Sequence, residues 1–326
     1  MAAALLRTPV MNPLLERLAR WTRAVPHALR RIGLLPPAAE AAPGLWLDGS
    51  FEHQRRSIDY KLFVPARDAG RRRPLLLMLH GCTQDPDDFA AGTQMNRLAA
   101  QHGFMVLYPT QTKQHNAAKC WNWFLPQHQQ RERGEPALLA ALTRSVMAEQ
   151  AVDPARVYVA GLSAGGAMAD IMGRTHPELF AAVGVHSGLP IGAAKDLMSA
   201  LAAMKNGAPV AARTGAIRPT IVFHGDADET VHPSNGEEVA TAALAAEAGA
   251  DAPRMHEMQG RSKQGRAYAR RTYADAHGRI AVEHWLLHGA GHAWAGGSAE
   301  GSFTDPAGPD ASAEMLRFFL SHPQTS

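Results

Sequence analysis

Two periods of apolar residues alternate along the chain. Segments of strand length fall at Ser57–Val64, Pro74–His80, Phe104–Tyr108, Val157–Leu162, Ala181–His186, Pro219–His224 and Ile280–Leu287. Stretches of helical character separate most of them, at about 86–101, 136–150, 164–175, 234–248 and 310–321. Strands that alternate with helices predict βαβ units, hence an α/β fold with a mainly parallel central sheet and helices on both faces. "PLLLMLH" and "PTIVFHG" are apolar on both faces, as central parallel strands need to be. With no internal repeat and no second composition regime, these elements count as one domain, residues 46–326.

The segments outside this alternation predict different things. Asn12 can cap a helix over residues 12–23, Pro13 suits its first position, and Met11, Leu14, Leu15, Leu18 and Trp21 make one stripe. Arg17, Arg20 and Arg23 lie opposite, so this helix docks on its own domain or lies on an apolar surface. Pro26, Pro36, Pro37 and Pro43 then break the chain, and residues 24–45 read as a linker. Gly188–Ala216 is alanine-rich and longer than an ordinary connection, which predicts a helix plus a loop over the sheet edge that contributes to a substrate cleft. The basic stretch "SKQGRAYARR" (262–271) predicts a solvated loop or hairpin.

Composition narrows the class. At 326 residues with 46% hydrophobic and 19% charged residues, the chain can bury a sizeable core. The net charge is only +3, and no aromatic residues interleave with Arg71-Arg72-Arg73, which argues against a nucleic-acid surface. No apolar run reaches the roughly 18 residues a transmembrane helix needs. The N-terminus lacks the apolar core of about 7–15 residues that marks a signal peptide, which favours the cytoplasm. Cys82 and Cys120 are too few for a disulfide framework and form no CxxC motif.

The chemistry begins at "YVAGLSAGGAMADIM" (158–172), where a strand runs through Gly-x-Ser-x-Gly into strong helix sequence. That context is the one a nucleophile elbow requires: Ser163 takes a strained backbone that lifts its hydroxyl above the sheet. Side chains at Gly161 or Gly165 would collide across the turn, and the following helix aims its N-terminus at the site. A serine hydroxyl needs a base, and the base needs an orienting carboxylate. "IVFHGDADETVHP" offers Asp226 or Asp228 just after a buried strand, and periodicity does not choose between them. "HWLLHGAGHAW" offers His292, with His288 as competitor; Gly289-Ala290-Gly291 gives His292 room to reach back. His284, His288 and His292 are spaced by four, but "RIAVEHW" reads as a strand, so the three do not share a metal-binding face and no metal is expected. An oxyanion hole needs two backbone N–H groups. Ala164 supplies one, and Cys82, after the strand in "LLLMLHGCTQDPDDF", is the candidate for the other. His80 reads as a buried residue that holds this loop.

Several linked segments then carry a resemblance: "MLHGCTQDPDDFAAGTQMN", "CWNWF", "VYVAGLSAGGAMA", "VGVHSGLPIGAA", "FHGDADETVHPSNG" and "HGAGHAWAGGS" with "GPDASAEMLRFFL". Over residues 57–321 the chain resembles the polyhydroxybutyrate depolymerase family of α/β-hydrolase esterases, which includes feruloyl and acetylxylan esterases. The resemblance implies Ser163 as nucleophile, His292 as base and, through His-Gly-x-x-Asp-x-x-Val, Asp228 as the orienting acid. It implies no cofactor. It also suggests that Cys120 lies near Cys82; a disulfide between them, a bond that persists mainly in oxidising compartments, would close a loop of 37 intervening residues. Trp121, Trp123 and Trp294 are then expected as a flat apolar wall for the substrate. The resemblance leans towards secretion, against the N-terminal reading. Polymer-degrading relatives carry a linker and a polymer-binding domain, whereas this chain reaches Ser326 just after its last helix. Soluble oligomers or short-chain esters are therefore the expected substrates. Two rivals are a peptidase or lactone hydrolase on the same fold, and a non-catalytic protein that docks on polymer granules through the basic helix.

Overall fold

In a computed structural model of the chain, residues 43–66, 71–208, 218–244, 254–275 and 278–324 are described. The expected helix at 12–23 and nearly all of the 24–45 linker lie outside them. The compact unit that carries the sheet runs from Ala41 to Ser326.

Among the described residues ten strands form the main sheet: β1 (Gly44–His53), β2 (Arg56–Pro65), β3 (Arg73–Leu79), β4 (Met105–Pro109), β5 (Val152–Leu162), β6 (Ala182–His186), β7 (Thr220–Gly225), β8 (Arg254–Arg261), β9 (Ala267–Ala274) and β10 (Ile280–Leu287). Their spatial order is β1-β2-β4-β3-β5-β6-β7-β10-β9-β8. The six central strands, β4 to β10 in that order, run parallel, and antiparallel hairpins finish both edges. All seven expected strands lie in this sheet, and those that read as apolar on both faces, β3 and β7, are buried at every position.

Alternation along the strands splits the core into two layers. Leu75, Leu77 and Leu79 of β3 face one side. There they meet α3 (Gly134–Glu149), α4 (Ala164–Thr175), α5 (Leu197–Asn206) and α6 (Ser234–Leu244). Leu76 and Met78 face the other, against α1 (Pro86–Thr93), α2 (Met95–His102) and α7 (Ala311–Leu320).

Three departures from expectation have local causes. The helix expected over 86–101 is two helices, because Gln94 takes a left-handed conformation at φ 57° and its amide and side chain close α1 on Ala90 O and Ala91 O. β1 begins inside the expected linker, and β8 carried no strand signal; both are edge strands with mostly exposed residues, so neither shows a buried period. The basic stretch 262–271 is the turn of the β8–β9 hairpin and the start of its second strand, closed by Ser262 N on Arg266 O at 2.8 Å.

Of the six histidines buried among the described residues, four are held neutral by burial. Burial pushes His80 and His176 down to about 4, and His186 and His284 to about 3. Below pH 6.5 the unfolded chain therefore binds protons that the folded one refuses, so stability is full above that pH and is lost as pH falls towards the folded values. Each imidazole adds a slope of up to about 1.4 kcal/mol per pH unit in that window. Thermal unfolding should give a level Tm from pH 8 to 7 and a drop of roughly 10 °C or more between pH 6.5 and 5. A Tm that stays flat to pH 5 would contradict the burial of these rings as neutral groups.

Candidate active site

The carboxyl ends of the parallel strands converge on one rim, where ligands of open α/β sheets bind. At the centre, β5 ends at Leu162 and α4 begins at Ala164. Between them Ser163 has φ 57° and ψ −119°, a left-handed strain that its amide bond to His186 O at 2.9 Å helps to hold. A Cβ at Gly161 would run into the backbone of Gly165, and one at Gly165 into Leu79 O, so both glycines are sterically required. Ser163 keeps 8% of its surface exposed.

The structure distinguishes the two acids. Asp228 is buried, and its Oδ1 accepts the amides of Thr230 (2.9 Å) and Val231 (2.8 Å). Its Oδ2 meets His292 Nδ1 at 2.7 Å and His224 Nε2 at 3.4 Å. Burial alone pushes this carboxyl up, but the bonds from His224, His292 and Val231 outweigh it and hold the group well below the usual carboxylate range. An ionised carboxylate only accepts, so His292 Nδ1 donates and Nε2 is left with the lone pair a base uses. Asp226 and His288 form a separate, more exposed pair at 2.8 Å. His284 is buried within β10, so the three evenly spaced histidines do not share a face.

His186 links the serine to the loop that carries His292. Its carbonyl accepts Ser163 N, and its ring Nε2 accepts Ala295 N at 3.0 Å, three residues beyond His292. That ring also stacks on Trp294 at 5.1 Å. Among the described residues no hydrogen bond joins Ser163 Oγ to His292; such contacts are often loose before substrate binds.

Beside the serine lies the loop after β3. His80 Nε2 accepts Gln111 N at 3.1 Å, so its Nδ1–H donates to Gly81 O at 2.8 Å and turns that carbonyl aside. Gly81 N is held by Gln84 Oε1 at 2.9 Å, and Gly81 itself stands against the Ser163 side chain. Neither Cys82 N nor Ala164 N donates to another group among the described residues. Cys82 is bonded to Cys120, with their Cα atoms 4.2 Å apart. The Cys120 side of that bond is fixed by buried Glu135, whose carboxylate accepts Gln111 Nε2 (2.6 Å), Asn122 N (2.7 Å) and Asn122 Nδ2 (2.7 Å).

The tryptophans correct an expectation. Trp121 and Trp294 are 1% exposed and Trp123 5%. Trp121 Nε1 donates to His80 O and Trp294 Nε1 to Ser312 Oγ, while Trp123 packs edge-on to Phe124 within the core. Buried to this degree, with the N–H groups of Trp121 and Trp294 bonded to protein, they brace the loops and do not offer a free wall to substrate. Sequence reasoning passed over His186, Gln84, Gln111 and Glu135. Gln84 alone had a signal, three residues from a glycine in the quoted loop motif.

Known proteins share both the fold and the sequence. An acetyl xylan esterase from Aspergillus awamori superposes with a TM-score of 0.67 at 18% identity, over 85% of this chain and 100% of that one, which establishes the α/β-hydrolase fold. Poly(3-hydroxyalkanoate) depolymerase C of Paucimonas lemoignei is 33% identical over 232 residues, 67% of this chain and 54% of the relative. Feruloyl esterase B of Neurospora crassa is 33% identical over 128 residues, 39% of this chain and 42% of the relative. The chain spans about half the length of the curated relatives it matches. The sequence model of one family, described as esterase PHB depolymerase, matches residues 58–261, more than half of the chain, and the chain belongs to that family.

Proposed function

We propose that the protein is a serine esterase that cleaves carboxylic esters, short-chain or hydroxyalkanoate oligomers among them, through an acyl-enzyme. His292 Nε2 takes the proton of Ser163 Oγ as the oxygen attacks the ester carbonyl carbon, and the C=O π pair moves onto oxygen. The amides of Cys82 and Ala164 stabilise that oxyanion, with the N-terminus of α4 adding its dipole. Collapse breaks the ester C–O bond, and the imidazolium returns its proton to the departing alkoxide oxygen. Water, deprotonated by His292, then attacks the acyl carbon; the acid leaves and Ser163 regains its hydrogen. Asp228 stays ionised and holds the ring while it is charged.

The observation that carries this reading is the 2.7 Å bond from His292 Nδ1 to buried Asp228, on loops flanking a strained serine. Three ester classes follow from the names of the relatives. The depolymerase matches the larger share of the chain, which favours hydroxyalkanoate oligomers over feruloyl and acetyl esters. Kinetics on all three should give hydroxybutyrate oligomers a kcat/KM at least about tenfold above the other two, a difference that pocket contacts readily supply. A preference for feruloyl or acetyl esters would move the substrate assignment, and turnover of none of them would overturn the reading.

A further inference from the structure

The two loops that bring Asp228 and His292 together carry a second acid–imidazole pair, and the mechanism above does not use it. Asp226 stands two residues before Asp228, and His288 four before His292. His288 Nδ1 lies 2.8 Å from Asp226 Oδ2, and Gly289 N donates to Asp226 Oδ1 at 2.6 Å. Asp226 N bonds Leu287 O at 3.1 Å, and Ala227 N bonds Ala290 O at 3.1 Å. The carboxylate thus closes the backbone of one loop onto the other directly ahead of the base. From the opposite side Arg266 of the β8–β9 turn donates to Gly289 O (2.9 Å) and His288 O (3.3 Å), and its other nitrogen pairs with Asp305 at 3.1 Å. Between this clamp and His292 lie only Gly289-Ala290-Gly291, where Gly289 has φ 69° and a Cβ on Gly291 would meet nothing within 4 Å. With Gly289 and Ala290 held by these bonds and Ala290 buried, the segment takes its course from the clamp at its start.

We infer that Asp226 and His288 are positioning residues: their pair fixes the start of the loop that delivers His292 to Ser163. This inference rests on the serine-esterase reading. Both side chains are more than a third exposed, at 38% and 39%, and a pair in that setting adds little to global stability. Its effect belongs to base placement, where a shift of about 1 Å can cost on the order of 100-fold in rate. Substrate affinity should be nearly unaffected.

The test is a double-mutant cycle on the full chain with a short p-nitrophenyl ester, with Ser163→Ala as control. Asp226→Ala and His288→Ala are each expected to lower kcat by about 10-fold with KM within about 2-fold, and the double variant to be no worse than either single one. Asp226→Asn, whose amide still accepts from Gly289 N and donates to a neutral His288 Nδ1, should recover most of kcat. A purely structural role would instead lower Tm and leave kcat per folded molecule unchanged. If Asp226→Ala does not fold, His288→Ala against His288→Asn carries the same comparison. Wild-type kcat in the single variants, or additive losses in the double one, overturns the inference while an inactive Ser163→Ala leaves the esterase reading standing. Activity retained in Ser163→Ala would sink that reading instead.

Discussion

Ser163→Ala is expected to lower kcat on short p-nitrophenyl esters by about 10⁵–10⁶-fold, to a residue supplied by binding and the oxyanion amides alone. The loss should be confined to chemistry. Ser163 Oγ makes no hydrogen bond among the described residues, and the bond that pins the elbow, Ser163 N to His186 O, is a backbone bond that alanine keeps. KM should therefore stay within a few-fold of wild type, the Tm should hold, and the pre-steady-state burst of p-nitrophenol should disappear. A variant retaining kcat within tenfold would mean that another group performs the attack.

Asp228→Asn has the second-largest expected effect, a drop in kcat of about 10⁴-fold. The carboxylate accepts three bonds here, two from backbone amides and one from His292, with His224 Nε2 3.4 Å away. Asparagine still accepts from Thr230 N and Val231 N through its oxygen, so the loop keeps its shape. Its NH₂, however, turns a donor towards His292 Nδ1. The ring then places its proton on Nε2, the atom that must accept from Ser163, and no negative charge steadies the imidazolium. Asp226→Asn supplies the matched control, expected within about 3-fold of wild type because it keeps its loop bonds without touching His292. Comparable losses in both would erase the distinction between the inner and outer pairs.

These expectations show which parts of the molecule its sequence carries. Central strands and the elbow were legible because the signals are local: β3 and β7 carry apolar residues on both faces, and only glycine fits at 161 and 165. Periodicity left Asp226 and Asp228 equivalent, since what separates them is burial and the partner on a loop more than sixty residues away. The same holds for His288 and His292, two apparent competitors that turn out to serve one pair each. Edge strand β8, "RMHEMQGR", is exposed at nearly every position and so writes no period into its residues. The tryptophans misled for a related reason: an aromatic next to a catalytic motif looks the same in sequence whether its face meets substrate or, as with Trp121 beneath His80, the back of the oxyanion loop. His186, bridging the serine and the His292 loop through 109 positions of sequence, has no local signature at all.

The claim beneath all of this is that Ser163 becomes transiently acylated. Intact-mass and peptide-level mass spectrometry after treatment with a fluorophosphonate tests it most directly. The account predicts one covalent adduct per chain, located on the peptide containing Ser163, with activity lost in proportion, and no adduct on Ser163→Ala. Full inactivation with the adduct on any other residue, or an unmodified Ser163 in enzyme that still turns over esters, would contradict it.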